Sequence, residues 1–320
     1  MQKMRESKPR LVDEGEETDA AMTSAPPIAT TSAPNPLGVH TLVWTGDWTV
    51  ENAEAAAAHS REAGFDLVEM SLHAPESVDV PRTKEILAAH ELKVACSRGL
   101  PFDCDVSSDD PATVDRGLSL LRQAVRLTHD LGGDYFGGVL YGALGKYERQ
   151  PTVAGRANAV GAVRELAADA AELGVTLGLE IVNRYENNLV NTAQQCLGLI
   201  DEIGADNVVV HLDTYHMNIE EQDFVRPVRA CADRLGYVHV GESNRGYLGS
   251  GTIDFPAFFH ALADIGYTGP ITFESFSSAV VAPGLSNQLA VWRDVWTDGA
   301  DLARHARSFI ADQLKAAHAA

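Results

Sequence analysis

Eight short β-rich runs alternate with helix-type patterns from Leu37 onward, and this alternation constrains the fold more than any other feature of the sequence. Strands separated by helices in this way pair in parallel, and eight such units suffice to close a barrel. The sequence therefore predicts an α/β fold, a (β/α)8 TIM barrel formed by residues 37–320 as a single domain. The candidate strands are residues 38–44, 65–72, 92–99, 135–141, 176–182, 208–213, 237–243 and 271–276.

Several helices between these strands carry clear boundary signals. Residues 111–131 follow Asp110 as an N-cap residue, with proline at the first helical position. Residues 154–173 repeat apolar side chains at helical spacing. The next helix opens on a capping-box pattern at Thr192 and is expected to end at Gly204.

A doubly wound open sheet is the alternative architecture. That fold normally has a Gly-rich phosphate turn after its first strand, and the segment at residues 44–48 is not one. Residues 1–36 have few large apolar side chains and many Ser, Thr, Pro, Ala and Glu, a composition typical of a disordered tail. This segment lacks the apolar stretch of a signal peptide.

Charge and cysteine content restrict the partners and the compartment. The chain has 25 Lys and Arg against 45 Asp and Glu, a net charge of −20, which argues against a nucleic-acid partner. No run of about 18 apolar residues indicates a membrane span. The four cysteines form no CxxC pair and are expected to be free thiols in a reducing compartment. We therefore expect a cytoplasmic protein.

Four consecutive predicted strands each carry a potential metal ligand within an apolar run, namely Glu180, Asp213, His239 and Glu274. Taken singly, each could be a salt-bridged, capping or core residue. A buried carboxylate is nevertheless costly unless it is paired or bound to a metal, and neighbouring strand ends converge in a barrel. Three carboxylates and one imidazole favour Mn²⁺ or Mg²⁺, with Co²⁺ as a further candidate, over a structural zinc site.

The segment HLDTYHMNIEE (211–221) contains one of these candidates and several other polar residues. Residues three apart on a strand point to opposite faces, so His216 can join Asp213 only beyond the strand end. We expect His216 to lie over the site without binding a metal, and His211 to support the barrel interior. Glu220 and Glu221 are expected to begin the next helix.

Four segments carry a more specific signal: LEIVNRYENNLVNT (179–192), VHLDTYHMNIEE (210–221), VHVGESNRGYLGSG (238–251) and FESF (273–276). In order and spacing they resemble the ketose 3-epimerase family, which includes the D-tagatose, D-psicose (D-allulose) and L-ribulose 3-epimerases among the xylose-isomerase-like TIM barrels. The resemblance implies a homodimer or homotetramer with a divalent metal, usually Mn²⁺. It assigns metal binding to Glu180, Asp213, His239 and Glu274, catalysis to Glu180 and Glu274, and sugar binding to Glu186, His216 and Arg245.

The expected reaction is metal-dependent epimerisation of free ketoses at C3. A metal can polarise the carbonyl and stabilise a cis-enediolate, while two carboxylates exchange the roles of base and acid. Leu144 stands where many relatives have Trp, which bears on substrate preference. Trp48 and Phe276 are candidate apolar walls, and Glu69 and Glu242 are expected to have supporting roles.

Three other functions compete with this prediction. The nearest is an aldose–ketose or keto-acid isomerase of the same superfamily, of the hydroxypyruvate or inosose type. A DNA-repair endonuclease of related fold would need further His and Asp ligands and a basic face. A non-catalytic sugar-binding barrel is the third. Because no phosphate-binding loop of the usual form follows the last two strands, free sugars are favoured over phosphorylated ones.

Overall fold

The fold is a closed parallel barrel, seen in a computed structural model that describes residues 35–73, 75–281, 283–288 and 290–319. Each strand pairs in parallel with the next, and the last pairs with the first. The predicted (β/α)8 TIM barrel is confirmed. Within the described residues the strands are β1 (Leu37–His40), β2 (Leu67–Ser71), β3 (Lys93–Ser97), β4 (Tyr135–Gly138), β5 (Thr176–Glu180), β6 (Val208–Asp213), β7 (Leu235–Val240) and β8 (Ile271–Phe273).

Helices surround the barrel and cover the outer faces of the strands. Short 3₁₀ turns at Thr41–Val43, Pro75–Ser77 and Phe102–Cys104 follow β1, β2 and β3. The helices are α1 (Val50–Glu62), α2 (Val80–Ala89), α3 (Pro111–Leu131), α4 (Val153–Glu172), α5 (Ala193–Ile203), α6 (Thr214–Glu220), α7 (Val225–Ala230), α8 (Phe255–Asp264), α9 (Pro283–Gln288) and α10 (Gly299–Ala319).

The helix boundary signals act as their chemistry predicts. The Asp110 carboxylate accepts hydrogen bonds from the backbone N–H groups of Ala112 and Thr113, so α3 begins where it was predicted. At α5 both bonds of the capping box form, and Gly204 ends the helix with a φ of 69°.

The strands are generally shorter than the apolar runs that predicted them. The run at residues 135–141 pairs only as far as Gly138, whose φ of 112° leaves the extended region. Val139 and Tyr141 remain buried beyond that point. The apolar pattern therefore continues into loops at the barrel rim, which line the space above the strand ends.

An aromatic layer fills the barrel interior beneath the strand ends. The rings of Tyr135 and Tyr237 stack at 4.1 Å between centroids. Tyr237 Oη lies 2.6 Å from Thr272 Oγ1, and Tyr135 Oη lies 3.0 Å from His211 Nδ1, so both hydroxyls are hydrogen-bonded although the rings are buried. His211 thus supports the interior, in agreement with the prediction.

Other sequence-based expectations concern the cysteines, membrane segments and the tail. All four cysteines are free, and Cys96, Cys196 and Cys231 are buried. Among the described helices, none has the length and apolar character needed to cross a bilayer. The predicted tail, residues 1–36, lies almost wholly outside the described residues.

Candidate metal and active site

Four potential ligands meet at the carboxyl ends of β5 to β8. Glu180 and Asp213 are the last residues of β5 and β6, His239 lies one residue before the end of β7, and Glu274 directly follows β8. One ligand atom from each of the four side chains lies within 4.8 Å of all the others, and all four residues are buried. The structure therefore brings together the full set that the sequence suggested.

Asp213 is fixed by the transition from strand to helix. Its Oδ1 accepts a 2.7 Å hydrogen bond from the backbone N–H of Tyr215, which makes it the N-cap residue of α6. Its Oδ2 lies 3.2 Å from Arg245 Nη1. One oxygen therefore stabilises the helix start while the other faces the ligand cluster.

Glu69 orients the imidazole of His239 from across the barrel. Glu69 lies in β2, and its Oε2 is 2.7 Å from His239 Nε2. Burial opposes ionisation of this carboxyl, but the His239 imidazole outweighs that effect and holds the pKa of Glu69 well below its ordinary value. His239 Nδ1 is left facing Glu180 and Glu274, at 3.4 and 3.6 Å from their Oε1 atoms.

The two glutamates of the cluster have different surroundings. Burial raises the pKa of Glu180 to about 7, since a desolvated carboxylate is disfavoured, although nearby His239 opposes the shift. Glu274 Oε2 instead forms an ion pair with Arg245 Nη1 at 2.7 Å.

Arg245 spans two of the carboxylates from the loop after β7. Its backbone has a φ of 58°, an uncommon conformation for a non-glycine residue, and its guanidinium lies 3.9 Å above the ring of Tyr215. Burial disfavours the cation, but Asp213 and Glu274 outweigh that effect and raise the pKa of Arg245. The side chain is thus held as a cation at the cluster.

His216 presents an N–H donor to the site. Its Nδ1 accepts the backbone N–H of Asn183 at 3.1 Å, and because burial lowers its pKa to about 3, the neutral ring carries its proton on Nε2. That Nε2 lies 3.6 to 3.9 Å from carboxylate oxygens of Asp213, Glu180 and Glu186. As predicted, His216 reaches this place because β6 ends at Asp213 and the chain turns into α6.

One expectation for this segment is wrong. Glu220 and Glu221 do not begin a helix, because capping by Asp213 starts α6 at Thr214 and Glu220 is its last residue. Glu220 instead forms an ion pair with Arg184 at 2.7 Å. Glu221 accepts a hydrogen bond from the backbone N–H of Ala193 at the start of α5.

A small cavity of about 60 Å³ opens above the cluster. Glu186 lines it and accepts a 2.8 Å hydrogen bond from Asn183 Nδ2. Leu144 and Phe276 supply apolar walls. Trp48, the other candidate wall, is not part of the lining, because its Nε1 donates to Thr83 in α2 and its ring packs in the outer core.

Further polar residues line the cavity that the sequence reasoning did not single out. They come from the first three strands and the residues that follow them: His40, Ser71, His73, Ser97 and Arg98. Arg98 directly follows β3, so a search of every strand end for charged residues, extended to the first half of the chain, would have found it.

The residues of the cluster fit a hard divalent metal. Their donors are carboxylate oxygens and one imidazole nitrogen, a set that suits such ions. His239 Nδ1 is buried and makes no hydrogen bond within the described part of the chain, so it is available as a ligand. A second grouping combines Glu180 and His239 with His211, whose Nδ1 lies 3.0 Å from Tyr135 Oη and whose Nε2 is buried without a hydrogen bond in the described part of the chain.

Comparison with known proteins finds a family of TIM barrels and, within it, sugar epimerases. The family model for xylose isomerase-like TIM barrels matches residues 57–312. A ketose 3-epimerase from Arthrobacter globiformis is 50% identical over 280 residues, which cover 88% of this chain and 97% of that protein. An L-ribulose 3-epimerase from a Methylomonas species is 50% identical over 273 residues, covering 85% and 96%.

A solved structure extends the similarity to three dimensions. The crystal structure of a D-allulose 3-epimerase from a Methylomonas species, in complex with D-allulose, matches with a TM-score of 0.86 and 49% identity. The match covers 88% of this chain and 97% of that one. The family-model match includes all four strands that carry the cluster.

Proposed function

Because the chain belongs to the ketose 3-epimerases of the xylose isomerase-like TIM barrels, and is therefore an isomerase acting on carbohydrates, we propose that it epimerises free ketoses at C3 in a metal-dependent reaction. The observation that carries this proposal is the convergence of Glu180, Asp213, His239 and Glu274 within 4.8 Å at the ends of four adjacent strands. A pair of carboxylates at one metal-type site suits inversion of a carbon next to a ketone, in which a proton leaves one face and another arrives on the opposite face.

These four residues would hold the metal. Mn²⁺ is the ion proposed, with Mg²⁺ and Co²⁺ as alternatives, because the set is dominated by carboxylate oxygens. When bound, the ion would polarise the ketone and the neighbouring hydroxyl, which makes the C3 proton more acidic. The Glu69–His239 pair supports this assignment, since a carboxylate behind a ligating imidazole fixes the ring and its tautomer.

Glu180 and Glu274 would exchange the C3 proton. Glu180 ends β5 and Glu274 directly follows β8, three strands away around the ring. A ketose bound between them would have one carboxylate on each face. One removes the proton from C3 and the other delivers a proton to the opposite face of the planar enediolate, which inverts the centre. The reverse reaction exchanges the two roles.

Three other side chains would bind the sugar oxygens near the reacting carbon. His216 offers its Nε2–H, and Arg245 offers guanidinium N–H groups beside Glu274. Both can stabilise negative charge that develops on oxygen. Glu186 lines the same cavity and can accept hydrogen bonds from hydroxyl groups.

Free ketoses of the D-tagatose, D-fructose/D-psicose or L-ribulose type are the proposed substrates. The relatives that are about 50% identical are named for ketoses, and one is bound to D-allulose in its structure. The apolar walls formed by Leu144 and Phe276 suit the carbon skeleton of such a sugar.

The alternative is an aldose–ketose or keto-acid isomerase of the same superfamily. Such an enzyme moves a proton between adjacent carbons and can do so with one base on one face. The carboxylates of β5 and β8 on two sides of the cluster favour inversion at one carbon instead.

A substrate panel with controlled metal tests the proposal. The protein is treated with a chelator, dialysed, and assayed with D-fructose, D-tagatose and L-ribulose with and without added Mn²⁺. We expect C3-epimeric ketoses as products, activity lost on chelation and restored by Mn²⁺. An aldose product would refute epimerisation, and full activity after verified metal removal would refute metal dependence.

A further inference from the structure

Arg98 is a buried arginine that forms no ion pair with an acidic side chain of the described residues, although the charge of Glu76 acts on it from a greater distance. Its side chain lines the cavity, and the residue is only 7% exposed. Within the described residues Nη1 makes no hydrogen bond, and Nε makes only a long one, 3.4 Å, to the carbonyl of Gly99. Arg245, the other arginine of this cavity, is equally buried but contacts Asp213 and Glu274.

The backbone holds Arg98 firmly at this place. Its N–H donates to the carbonyl of Gly137 at 3.1 Å, which continues the pairing of β3 with β4. On the same side Gly138 packs so closely that a Cβ there would lie 2.3 Å from the Arg98 carbonyl oxygen. Burying an unpaired guanidinium is costly, so a fixed one at a cavity wall indicates a ligand that supplies acceptor oxygens.

Two serines beside Arg98 also line the cavity with polar groups that are free to bind a ligand. Ser71 and Ser97 are paired in register at the ends of β2 and β3 and line the same cavity. In the described part of the chain, neither hydroxyl makes a hydrogen bond to another protein group. Together Ser71, Ser97 and Arg98 form a polar patch, here called the β2–β3 shelf. It lies on the opposite side of the barrel axis from β6 and β7, which carry Asp213 and His239.

We propose that the β2–β3 shelf, with Arg98 as its main donor, binds the oxygens on the substrate carbons farthest from the reacting centre. This inference rests on the proposed function, which places C2 and C3 at the β5–β8 cluster. A ketose held there extends its remaining carbons toward β2 and β3, where Arg98 meets O5 and O6 of a hexulose. The shared chemistry is an oxygen acceptor at the chain end, whether a hydroxyl or a phosphate ester.

Arg98 is thus a specificity-determining residue that does not touch C3. Its contacts are the same in the ground state and the transition state, so its loss raises KM and leaves kcat nearly unchanged. A charged hydrogen bond of this kind corresponds to a change of about 10- to 100-fold.

The test compares R98M, R98K and the wild type, each loaded with Mn²⁺, on D-allulose and on erythrulose. Erythrulose has the C2 ketone and the C3 centre but ends at C4, so it cannot reach the shelf. We expect R98M to raise KM for D-allulose about 10- to 100-fold with kcat within about twofold, and to leave kcat/KM for erythrulose within about twofold. R98K should be intermediate, since it keeps the charge and loses the planar fork.

Matched controls separate binding from a structural role. R82M removes an exposed arginine that pairs with Glu85 on α2, and should change neither substrate's kinetics. Because Arg98 forms no ion pair with the described residues, R98M should unfold at the wild-type temperature or higher. The proposal would be overturned by an equal loss of kcat/KM on D-allulose and erythrulose, by an unchanged KM for D-allulose, or by a lower unfolding temperature of R98M.

A further assay with a phosphorylated sugar shows whether Arg98 binds a hydroxyl group or a phosphate ester. Wild type and R98M are also assayed with D-fructose and D-fructose 6-phosphate. Preference for the free sugar supports hydroxyl recognition, and a preference for the phosphate that disappears in R98M supports phosphate recognition by the same residue. If the wild type epimerises no ketose at all, the proposed function fails. If it does and R98M behaves as the wild type, only the shelf proposal fails.

Discussion

At the residue scale, the partner of each buried polar atom indicates its role. His239 uses Nε2 for Glu69 and keeps Nδ1 for the cluster, whereas His216 uses Nδ1 for the Asn183 backbone and keeps an Nε2–H donor. Two histidines at one site are thereby assigned to different tasks. The first suits a metal and the second suits an oxygen of the substrate.

Glu69 should control metal affinity through His239. In Glu69→Gln the carboxylate behind the imidazole is replaced by a neutral amide, which holds the ring less firmly and lowers its basicity. We expect the Kd for Mn²⁺, measured by calorimetry on the chelated protein, to rise about 10- to 100-fold.

The surface pair of Glu54 and His90 provides a matched control, because its atoms approach within 2.9 Å far from the cluster. Glu54→Gln should leave the Kd for Mn²⁺ unchanged. An unchanged Kd in Glu69→Gln would show that the buried pair does not support metal binding.

Residues whose position in a strand implies their environment were predictable from the sequence. Glu180, Asp213 and Glu274 stand out because a carboxylate in an apolar run is costly, and the strand ends locate them. Trp48 was misjudged because loop residues after a strand can turn outward, and its indole bonds Thr83. Arg98 went unnoticed because a charged residue after a strand is common, and its lack of a partner is visible only in three dimensions.

At the element scale, side-chain caps set the helix starts while glycine sets the closest packing in the barrel. Gly178 in β5 leaves room for Tyr135, because a Cβ at that position would lie 1.8 Å from the tyrosine hydroxyl oxygen. The tyrosine in turn holds His211 beneath the cluster. A glycine in the middle of a buried strand is explained by this close approach.

Gly178→Ala should therefore destabilise the barrel. The methyl group forces Tyr135 to move, which disturbs its stacking on Tyr237 and its bond to His211. We expect the free energy of unfolding, measured in urea, to fall by about 1–3 kcal/mol or more. Gly161→Ala in α4 is the control, because its Cβ would meet nothing within 4 Å and alanine favours a helix by up to about 1 kcal/mol. Equal stability of the two variants would contradict this account of the interior.

Strand limits were less predictable than strand identity. The apolar runs at residues 135–141 and 271–276 continue past β4 and β8, because loops that line a cavity are buried as strands are. Hydrophobic pattern reports burial, and it does not report where backbone pairing ends. Local polar signals gave sharper limits, as at Asp110 and Thr192, because a cap acts through neighbouring residues.

At the scale of the whole molecule, barrel closure turns distant segments into one site. Glu69 and His239 are 170 residues apart in sequence and bond across the interior. Strand order alone implied that β5 to β8 converge, so the cluster could be predicted. A supporting role was expected for Glu69 of β2, but its pairing with His239 could not be predicted, because pairing across the barrel depends on side-chain length and direction.

The division of the cavity is also a property of the whole fold. The β5–β8 half carries the carboxylates and Arg245, and the β1–β4 half carries the Ser71 and Ser97 hydroxyl groups, two histidines and Arg98. If the two proposals above hold, the catalytic groups and the groups that select the substrate occupy opposite halves of one barrel. Substitutions on one half are expected to change the rate, and those on the other the preference among sugars.

The central claim is that two carboxylates on opposite faces invert C3, and deuterium exchange tests it most directly. Glu180→Gln and Glu274→Gln are loaded with Mn²⁺, with bound metal verified, and incubated in D₂O separately with D-allulose and D-fructose. We predict that inversion falls about 10²- to 10⁴-fold in both variants. Each variant should retain exchange of the C3 proton of one epimer only, and the two variants should act on opposite epimers. Exchange of the same epimer by both variants, or inversion at the wild-type rate in either, would contradict the account.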